Sequence, residues 1–531
     1  MHKRTIALFL VMMLSLSGLT LKLVSINSKG YKQSAAQGNT RSITVSNARG
    51  TFYDCNMKPI VNSQDRYLLA IKPTPLALSE LKGVISDKEL EDLAKDLSDG
   101  LPAIVSIPYE MRTGKDMELL TVKNRYSPNQ AAAHLIGYID SAGDGVTGLE
   151  RSYNEYLSKD MGRLMAAFSV DAFGRFLAGA QVELRNENYN VKQGVMLTLD
   201  LNIQKIVEQA MDNHKMTKGS AVVVEVGTGE IKAMASRPKY DPNNVGASLK
   251  SKDSPLINRS LTAYSVGSTF KAIVASAAIE SGNFTKDFKH ECTGSTVRNN
   301  TTFSCNNKEV HGTINMEEAL AVSCNTYFIE LANRINIKNL LNIADKMGFS
   351  KSVTLASGVQ SEKGSMPKIS ELNSQAAIAN LAFGQGKLLA TPLHMASAFA
   401  CIANGGVYNE PYLIKATIDK NREVVESFSQ KGGRRAMSRS TAEKVGQMLK
   451  FVINQKEKAR PDNVSACGKT ATAQSGWFKN GVEVYNSWFV GYFPAENPKY
   501  AVAVMREQGV SGSYDCAPVF KKIAENITGA K

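Results

Sequence analysis

The chain has 531 residues, 43% of them hydrophobic and 21% charged, which excludes a disordered tail, a collagen and a small disulfide scaffold. At roughly 100–200 residues per domain it holds two to four domains, each able to bury a core. Sixty-three Lys and Arg against 49 Asp and Glu give a formal charge of +14. That favours anionic surroundings such as acidic lipid or cell-wall polymer, while the lack of zinc-finger spacing or a Lys/Arg-rich arm argues against nucleic acid.

In chain order, His2, Lys3 and Arg4 precede an uncharged run at residues 5–21, TIALFLVMMLSLSGLTL, which Lys22 interrupts before Leu23, Val24 and Ile26. As a helix this run spans about 26 Å, just short of a bilayer core, and Lys22 can snorkel to extend it. The basic start predicts a single-pass membrane anchor over residues 1–26, with a cytoplasmic N-terminus and the bulk of the chain outside. The competing reading is a cleaved signal peptide; its A-x-A-like site, Ser34-Ala35-Ala36, lies too far beyond the apolar run. Residues 27–48 read as a linker with a short strand, TVSNA, at its end.

Residues 49–195 are mixed in pattern and form an expected N-terminal domain. YLLAIKP and LPAIVSIPY are predicted strands, ISDKELEDLAKDL a short amphipathic helix, and SAGDGVTGLERSYNEYL a glycine-rich turn running into a helix. VMLTLDLNIQKIVEQAM then predicts a strand, Asp200 near a helix start, and a helix. Residues 196–531 form the second expected domain. SAVVVEV, EIKAMAS, NSWFVGYFP and YAVAVMRE are strand-like, while KAIVASAAIESG and HMASAFACIANGG have helical spacing. Strands at both ends and helices between them predict one α+β domain whose sheet joins N- and C-terminal strands.

The chemistry lies in this last block. Ser268-Thr269-Phe270-Lys271 opens an apolar helical pattern, with Lys271 returning to the side of Ser268 one turn later. A serine hydroxyl needs a base. A lysine supplies one only if desolvation or a nearby positive charge lowers its pKa. Alone, the string reads as a helix-capping serine beside an exposed lysine. Two further strings change that reading. Ser323-Cys324-Asn325 follows MEEALAVS, and Lys469-Thr470-Ala471-Thr472 lies between VSACG and AQSGWF. A second Ser with Asn can relay a proton and bind an amide; a Lys-Thr pair on an edge strand can bind a carboxylate. The three strings in this order, in an exported chain, point to acyl transfer through Ser268.

Seven cysteines, at 55, 292, 305, 324, 401, 467 and 516, leave at least one unpaired within the chain. Cys292 and Cys305 close a short polar loop and are the candidate disulfide pair. No C-x-x-C or H-E-x-x-H spacing occurs, so no metal is expected.

The motifs resemble those of the class B penicillin-binding proteins, the monofunctional D,D-transpeptidases of peptidoglycan synthesis, over nearly the whole chain. Ser268 to Lys271 matches the family's S-x-x-K, Ser323-Cys324-Asn325 its S-x-N, and Lys469-Thr470-Ala471 its K-T-G. Arg49-Gly50 with Asp54, Gly148-Leu149-Glu150, Thr198-Leu199-Asp200 with Gln204, and Phe383-Gly384-Gln385-Gly386 with Thr391-Pro392 resemble further family segments. The resemblance implies a penicillin-binding transpeptidase (serine β-lactamase-like) domain with a central antiparallel five-stranded sheet and an all-α subdomain, preceded by an extended α+β pedestal. It implies Ser268 as nucleophile, Lys271 as general base, and Ser323 and Asn325 as proton relay and peptide holders. Lys469, Thr470 and Thr472 would bind the terminal carboxylate, and the N–H groups of Ser268 and Thr472 would form the oxyanion hole. The implied ligands are peptidoglycan stem peptides and β-lactams, the implied partner a SEDS-type glycan polymerase, and no cofactor is expected.

Two departures stand out: Ala471 replaces the glycine of K-T-G, its methyl pointing the same way as Lys469, and Val266 replaces a proline often found before Gly-Ser. Ala471 lends support to an alternative, a catalytically impaired scaffold of the wall-synthesis complex. A β-lactamase of class A type would need E-x-x-L-N, but Ile369 stands three before Leu372 where the glutamate should be. A D,D-carboxypeptidase side reaction shares the same chemistry with water as acceptor. No second catalytic block precedes residue 195, so no glycosyltransferase domain is expected, and little chain follows VFKKIAENI to hold C-terminal wall-binding repeats.

Overall fold

The structure, a computed structural model, describes residues 2–28, 40–159, 161–171, 173, 176–177, 180–189, 192–282, 288–429 and 432–529. The Ser34-Ala35-Ala36 string and residues 29–39 of the expected linker lie outside them. A helix spans His2–Ser28. Among the described residues no helix is long and apolar enough to cross a membrane, against the expected single-pass anchor over residues 1–26; Lys22 ends the uncharged run at residue 21, just short of a bilayer core.

The chain divides into two compact units. One comprises Met1–Arg49, Asn62–Arg125 and Asp160–Val191. Its antiparallel sheet sets Gln64–Ile71 between Ala103–Ile107 and Met117–Asn124. The helix Asp87–Ser98 starts where Ser86 and Glu89 form a reciprocal capping box. It buries Leu93 and Leu97 with Leu69, Ile71 and Ile107 of the strands. A second sheet places Arg163–Ser169 between Thr40–Asn47 and Glu183–Glu187.

The other unit comprises Gly50–Val61, Tyr126–Lys159 and Lys192–Lys531. Its centre is a five-stranded antiparallel sheet of β1 (Gly219–Glu225), β2 (Ile231–Arg237), β3 (Cys467–Lys479), β4 (Val482–Phe493) and β5 (Tyr500–Gly509), in the order β2-β1-β5-β4-β3. The expected joining of N- and C-terminal strands is the β1–β5 ladder, where Ala503 faces Val222. Because neighbouring residues on a strand point to opposite faces, Val222 and Val224 enter one core, and Ala221 and Val223 the other. On the second face lie α1 (Leu201–Asn213) and the C-terminal helix Ala517–Gly529, with Phe489 and Phe493 of β4 against Phe520. Asp200 caps α1 by accepting from Asn202 and Ile203 N–H, and Asp54 accepts from Leu201 N–H. Gln204 then ties α1 to β2 by exchanging hydrogen bonds with the Met234 backbone.

The first face is covered by helices apolar all round, as a central helix must be. These are α2 (Lys271–Glu280), buried from Lys271 to Ala278, and α3 (Pro392–Ala403), buried from Pro392 to Ile402. The helical region beyond them holds Met316–Ala321, Asn325–Arg334, Ile337–Lys346 and Gln375–Ala382. It is not wholly helical: His290–Cys292 pairs with Gly312–Ile314, and Ser295–Arg298 with Thr301–Ser304. Their polar, glycine-containing sequences carry no long alternating pattern to announce them.

The aromatic stack behind β4 gives a stability prediction. Phe520 is fully buried with its ring centroid 4.2 Å from that of Phe489. Phe520→Ala should cost about 3–5 kcal/mol, seen as a fall in the urea midpoint of this unit, whereas Trp477→Ala, at a site 77% exposed, should change it by less than about 0.5 kcal/mol.

Candidate active site

Ser268 sits in a single 3₁₀ turn, Gly267–Phe270, that runs into α2. The sequence placed it at the start of a helix, and it stands in the turn that leads into α2; that turn is tight because Gly267 has a φ of +55°, in the left-handed region that only glycine enters freely. Three contacts hold this turn. Gly267 N–H donates to Gly384 O at 3.0 Å, Tyr264 and Ala390 exchange backbone hydrogen bonds, and Trp488 Nε1 donates to Ser265 O at 2.9 Å. Gly384 lies so close that an added Cβ would come within 2.0 Å of Gly267 O. The glycine-rich segment at 383–386 therefore supports the Ser268 turn from behind.

Lys271 is the first residue of α2 and fully buried. Its Nζ donates to Ser323 O and Asn325 Oδ1, each at 2.7 Å, and lies 3.3 Å from Ser323 Oγ. Asn325 is fixed from its other end, Nδ2 donating to Ser304 O at 2.8 Å. Lys469, on edge strand β3, is also buried, and its Nζ reaches the same Ser323 Oγ at 3.0 Å and Thr470 O at 3.0 Å. Thus one hydroxyl joins two buried amines. Ser323 has a φ of +58°, a left-handed conformation uncommon for a non-glycine residue and stored where the surroundings impose it.

Burial sets the charges. It lowers the Lys271 pKa to about 7, against a smaller opposing effect of the Cys324 and Cys305 thiols. Lys469 is pushed well down as well, by burial first and then by Lys271. Two ammonium groups sharing one hydroxyl in a buried site repel one another. With Lys271 neutral, its two N–H bonds serve Ser323 O and Asn325 Oδ1, and its lone pair is free to accept a proton. Lys469 can then donate to Ser323 Oγ.

The structure thus links Lys271, Ser323, Asn325 and Lys469 directly, with Ser268 one turn before Lys271. The Ser268 hydroxyl makes no hydrogen bond among the described residues, and Lys271 bonds to the S-x-N residues instead. Along β3, Lys469, Ala471 and Ala473 alternate in burial with the half-buried Thr470 and exposed Thr472. The Thr472 hydroxyl accepts from Gly512 N–H at 3.4 Å. Ala471 points at Gly267: a Cβ built on Gly267 would stand 3.3 Å from that of Ala471 and 3.0 Å from that of Ala473. The glycine at 267 leaves the room that the methyl at 471 fills.

Sequence reasoning missed Ser304, whose carbonyl orients Asn325, and Trp488, whose indole holds the Ser265 carbonyl; both act through single contacts across distant segments. It also paired Cys292 with Cys305. These are free thiols with Sγ atoms 3.7 Å apart, well beyond the roughly 2.05 Å of a disulfide bond, because Cys324 and His311 approach the same point. A separate cavity of about 660 Å³, lined by Arg435, Glu443, Lys450 and Glu496 among others, contains none of the motif residues.

Comparison with known proteins identifies relatives of this chain. The family model "penicillin binding protein transpeptidase domain" matches residues 219–525. The chain is 29% identical over 407 residues to the peptidoglycan D,D-transpeptidase PbpA of Mycolicibacterium smegmatis, covering 72% of this chain and 79% of that protein. It is 26% identical over 573 residues to the peptidoglycan D,D-transpeptidase FtsI of Buchnera aphidicola subsp. Schizaphis graminum, covering 99% and 94%. Among solved structures, the D,D-transpeptidase domain of a peptidoglycan glycosyltransferase from Eggerthella lenta superposes with a TM-score of 0.65 at 25% identity, covering 92% of this chain and all of that one.

The close approach of β3 to the Ser268 turn is testable. Gly267→Ala and Ala471→Val each fill the same gap. At about 1–3 kcal/mol for overpacking, each should slow reaction with a fluorescent penicillin roughly ten- to a hundredfold with the circular dichroism unchanged. Ala471→Gly removes only a methyl and should stay within about threefold of the parent.

Proposed function

The chain belongs to the penicillin-binding protein transpeptidase family, and on that premise we propose that Ser268, Lys271, Ser323, Asn325 and Lys469 carry its reaction. It is a class B penicillin-binding protein, a serine-type peptidoglycan D,D-transpeptidase that binds β-lactams covalently. The observation that carries the residue assignment is the fully buried Lys271 amine, held by Ser323 and Asn325 while Lys469 holds the same Ser323 hydroxyl.

In the first half-reaction Ser268 Oγ attacks the carbonyl carbon of the penultimate D-Ala of a stem peptide and its proton passes to the neutral Lys271 amine. The N–H groups of Ser268 and Thr472 stabilise the oxyanion. Collapse breaks the peptide C–N bond, and the departing D-Ala amine takes a proton from Lys271 through the Ser323 hydroxyl. In the second half an amine from a neighbouring stem loses its proton by the same route to Lys271, attacks the ester and expels Ser268 Oγ, which takes that proton back from Lys271, leaving the cross-link and the free enzyme. Water in place of that amine gives D,D-carboxypeptidase activity. Lys469, Thr470 and Thr472 receive the terminal carboxylate, Ala471 shapes the cleft beside them, and a β-lactam carbonyl takes the place of the D-Ala carbonyl.

The finer organisation is proposed as well. Of the expected pedestal 49–195, residues 62–125 and 160–191 act as the pedestal, while 50–61 and 126–159 belong to the compact unit of 192–531 that holds the transpeptidase domain. The helix His2–Ser28 attaches the chain to the cell membrane, with the bulk of the chain outside; the exposed apolar side chains of Ile6, Phe9, Val11 and Leu14 support this. A SEDS-type glycan polymerase is the proposed partner of the anchor and pedestal.

Three outcomes test the assignment. Mass spectrometry of the penicillin-treated protein should show one adduct on Ser268, absent in Ser268→Ala; unchanged labelling of that variant removes the nucleophile. Because burial lowers the Lys271 pKa to about 7, the neutral base accumulates as pH rises. The acylation rate constant should therefore climb about tenfold per pH unit below 7 and level off above it. A profile flat across neutral pH, or one rising only near the ordinary lysine pKa of about 10.4, would contradict the role. Lys271→Ala should lower the plateau by about 10²–10⁴-fold.

A further inference from the structure

Four side chains the reaction does not use converge beside the S-x-N residues. Cys292 ends the strand His290–Cys292, and His311 precedes the strand Gly312–Ile314 that pairs with it. Cys305 follows the second hairpin, its N–H donating to Gly294 O at 2.9 Å. Cys324 lies between Ser323 and Asn325. The Sγ atoms of Cys292 and Cys305 are 3.7 Å apart, those of Cys305 and Cys324 3.7 Å, and Cys292 Sγ is 3.3 Å from His311 Nδ1. All four candidate ligand atoms lie within 4.8 Å of one another.

The three shortest of these spacings fit edges of a small tetrahedron, and the other three lie within 4.8 Å. A metal with bonds of about 2.3 Å to sulfur and 2.0–2.1 Å to nitrogen has S···S edges of about 3.8 Å and S···N edges of about 3.5 Å. An independent observation is the histidine. His311 Nε2 is buried and has no hydrogen-bond partner among the described residues, while the Glu309 carboxylate stands 3.6 Å from it. That is the arrangement of a metal-bound imidazole whose second nitrogen turns to a carboxylate. The three cysteines are buried in the core around α2.

We propose that Cys292, Cys305, His311 through Nδ1, and Cys324 bind one divalent metal ion of the zinc class. Three soft thiolates and one imidazole in tetrahedral array select zinc over the oxygen-loving cations. Four protein ligands leave no open position, so the ion is structural and does not activate substrate. Binding converts three thiols to thiolates and releases their protons to solvent, with no change of oxidation state. The ion ties the two hairpins to the segment carrying Ser323 and Asn325, and so helps to hold Ser323 in its left-handed conformation. The metal site stands on its own geometry; its effect on acylation rests on the roles given above to Ser323 and Asn325, and the two are read separately.

The test uses the full chain purified under reducing conditions. Elemental analysis should find about one zinc per chain, falling at least about tenfold in affinity in Cys305→Ser and in His311→Ala, with Cys55→Ser as the unaffected control. Cobalt(II) added to metal-stripped parent protein should give the d–d bands of tetrahedral cobalt and intense thiolate-to-cobalt charge transfer, whether or not the variants fold. Failure of the reduced, stripped parent to take up zinc or cobalt overturns the site. So does a native protein in which two of these three cysteines form a disulfide and no metal is bound. Metal-free parent protein should acylate roughly ten- to a hundredfold more slowly, in the range that outer-shell support of an active site commands. An unchanged rate overturns the positioning role while zinc content reports independently on the site. Loss of Ser268 labelling in metal-replete protein would instead count against the proposed function.

Discussion

The burial of one amine organises the active unit. Lys271 begins a helix buried from Lys271 to Ala278, and its own side chain is fully buried. A charged ammonium there would lack the water that stabilises it, and the low pKa that follows is the property a serine nucleophile needs in a neighbouring base. The oxygens of Ser323 and Asn325 satisfy the amine's donors without supplying the full negative charge that would keep it protonated. A carboxylate in their place would defeat the purpose.

Much surrounding structure makes that burial tolerable. The left-handed turn at Ser323 aims both its carbonyl and its hydroxyl at Lys271. The ladder β4–β3 carries Lys469 to the same hydroxyl, with Lys469 opposite Val490 and Ala471 opposite Trp488. Gly384 and Trp488 fix the Ser268 turn from two sides. Each support crosses between segments remote in the chain, which is why rigid packing of the α2 core, rather than local sequence, sets the geometry.

That division explains what could be read in advance. The central strands were legible because SAVVVEV and YAVAVMRE bury both faces of a sheet and admit few polar residues. Lys271 beside Ser268, and the identity of the S-x-N and K-T-G strings, were legible because motif spacing is local. The 3₁₀ turn at Gly267–Phe270 was not, since one residue's positive φ decides it. Neither were the hairpins around Cys292 and Cys305, whose short polar strands have too few residues for a period. The thiol–imidazole cluster was invisible for a further reason: its members at 292, 305, 311 and 324 are spread along the chain, and Cys324 was read only as the middle letter of S-x-N. The methyl of Ala471 was noticed, but only the glycine opposite it at 267 shows how the fold accommodates it.

Nucleophilic attack by Ser268 depends on the protonation state of Lys271. Lysines labelled with ¹³C at the ε-carbon can be titrated by NMR from about pH 5 to 11, with Lys271→Arg identifying the resonance. The account predicts a midpoint of about 7, with the amine half neutral under neutral conditions. A midpoint near 10.5, the ordinary lysine value, would mean a permanently charged side chain that cannot take the proton of Ser268.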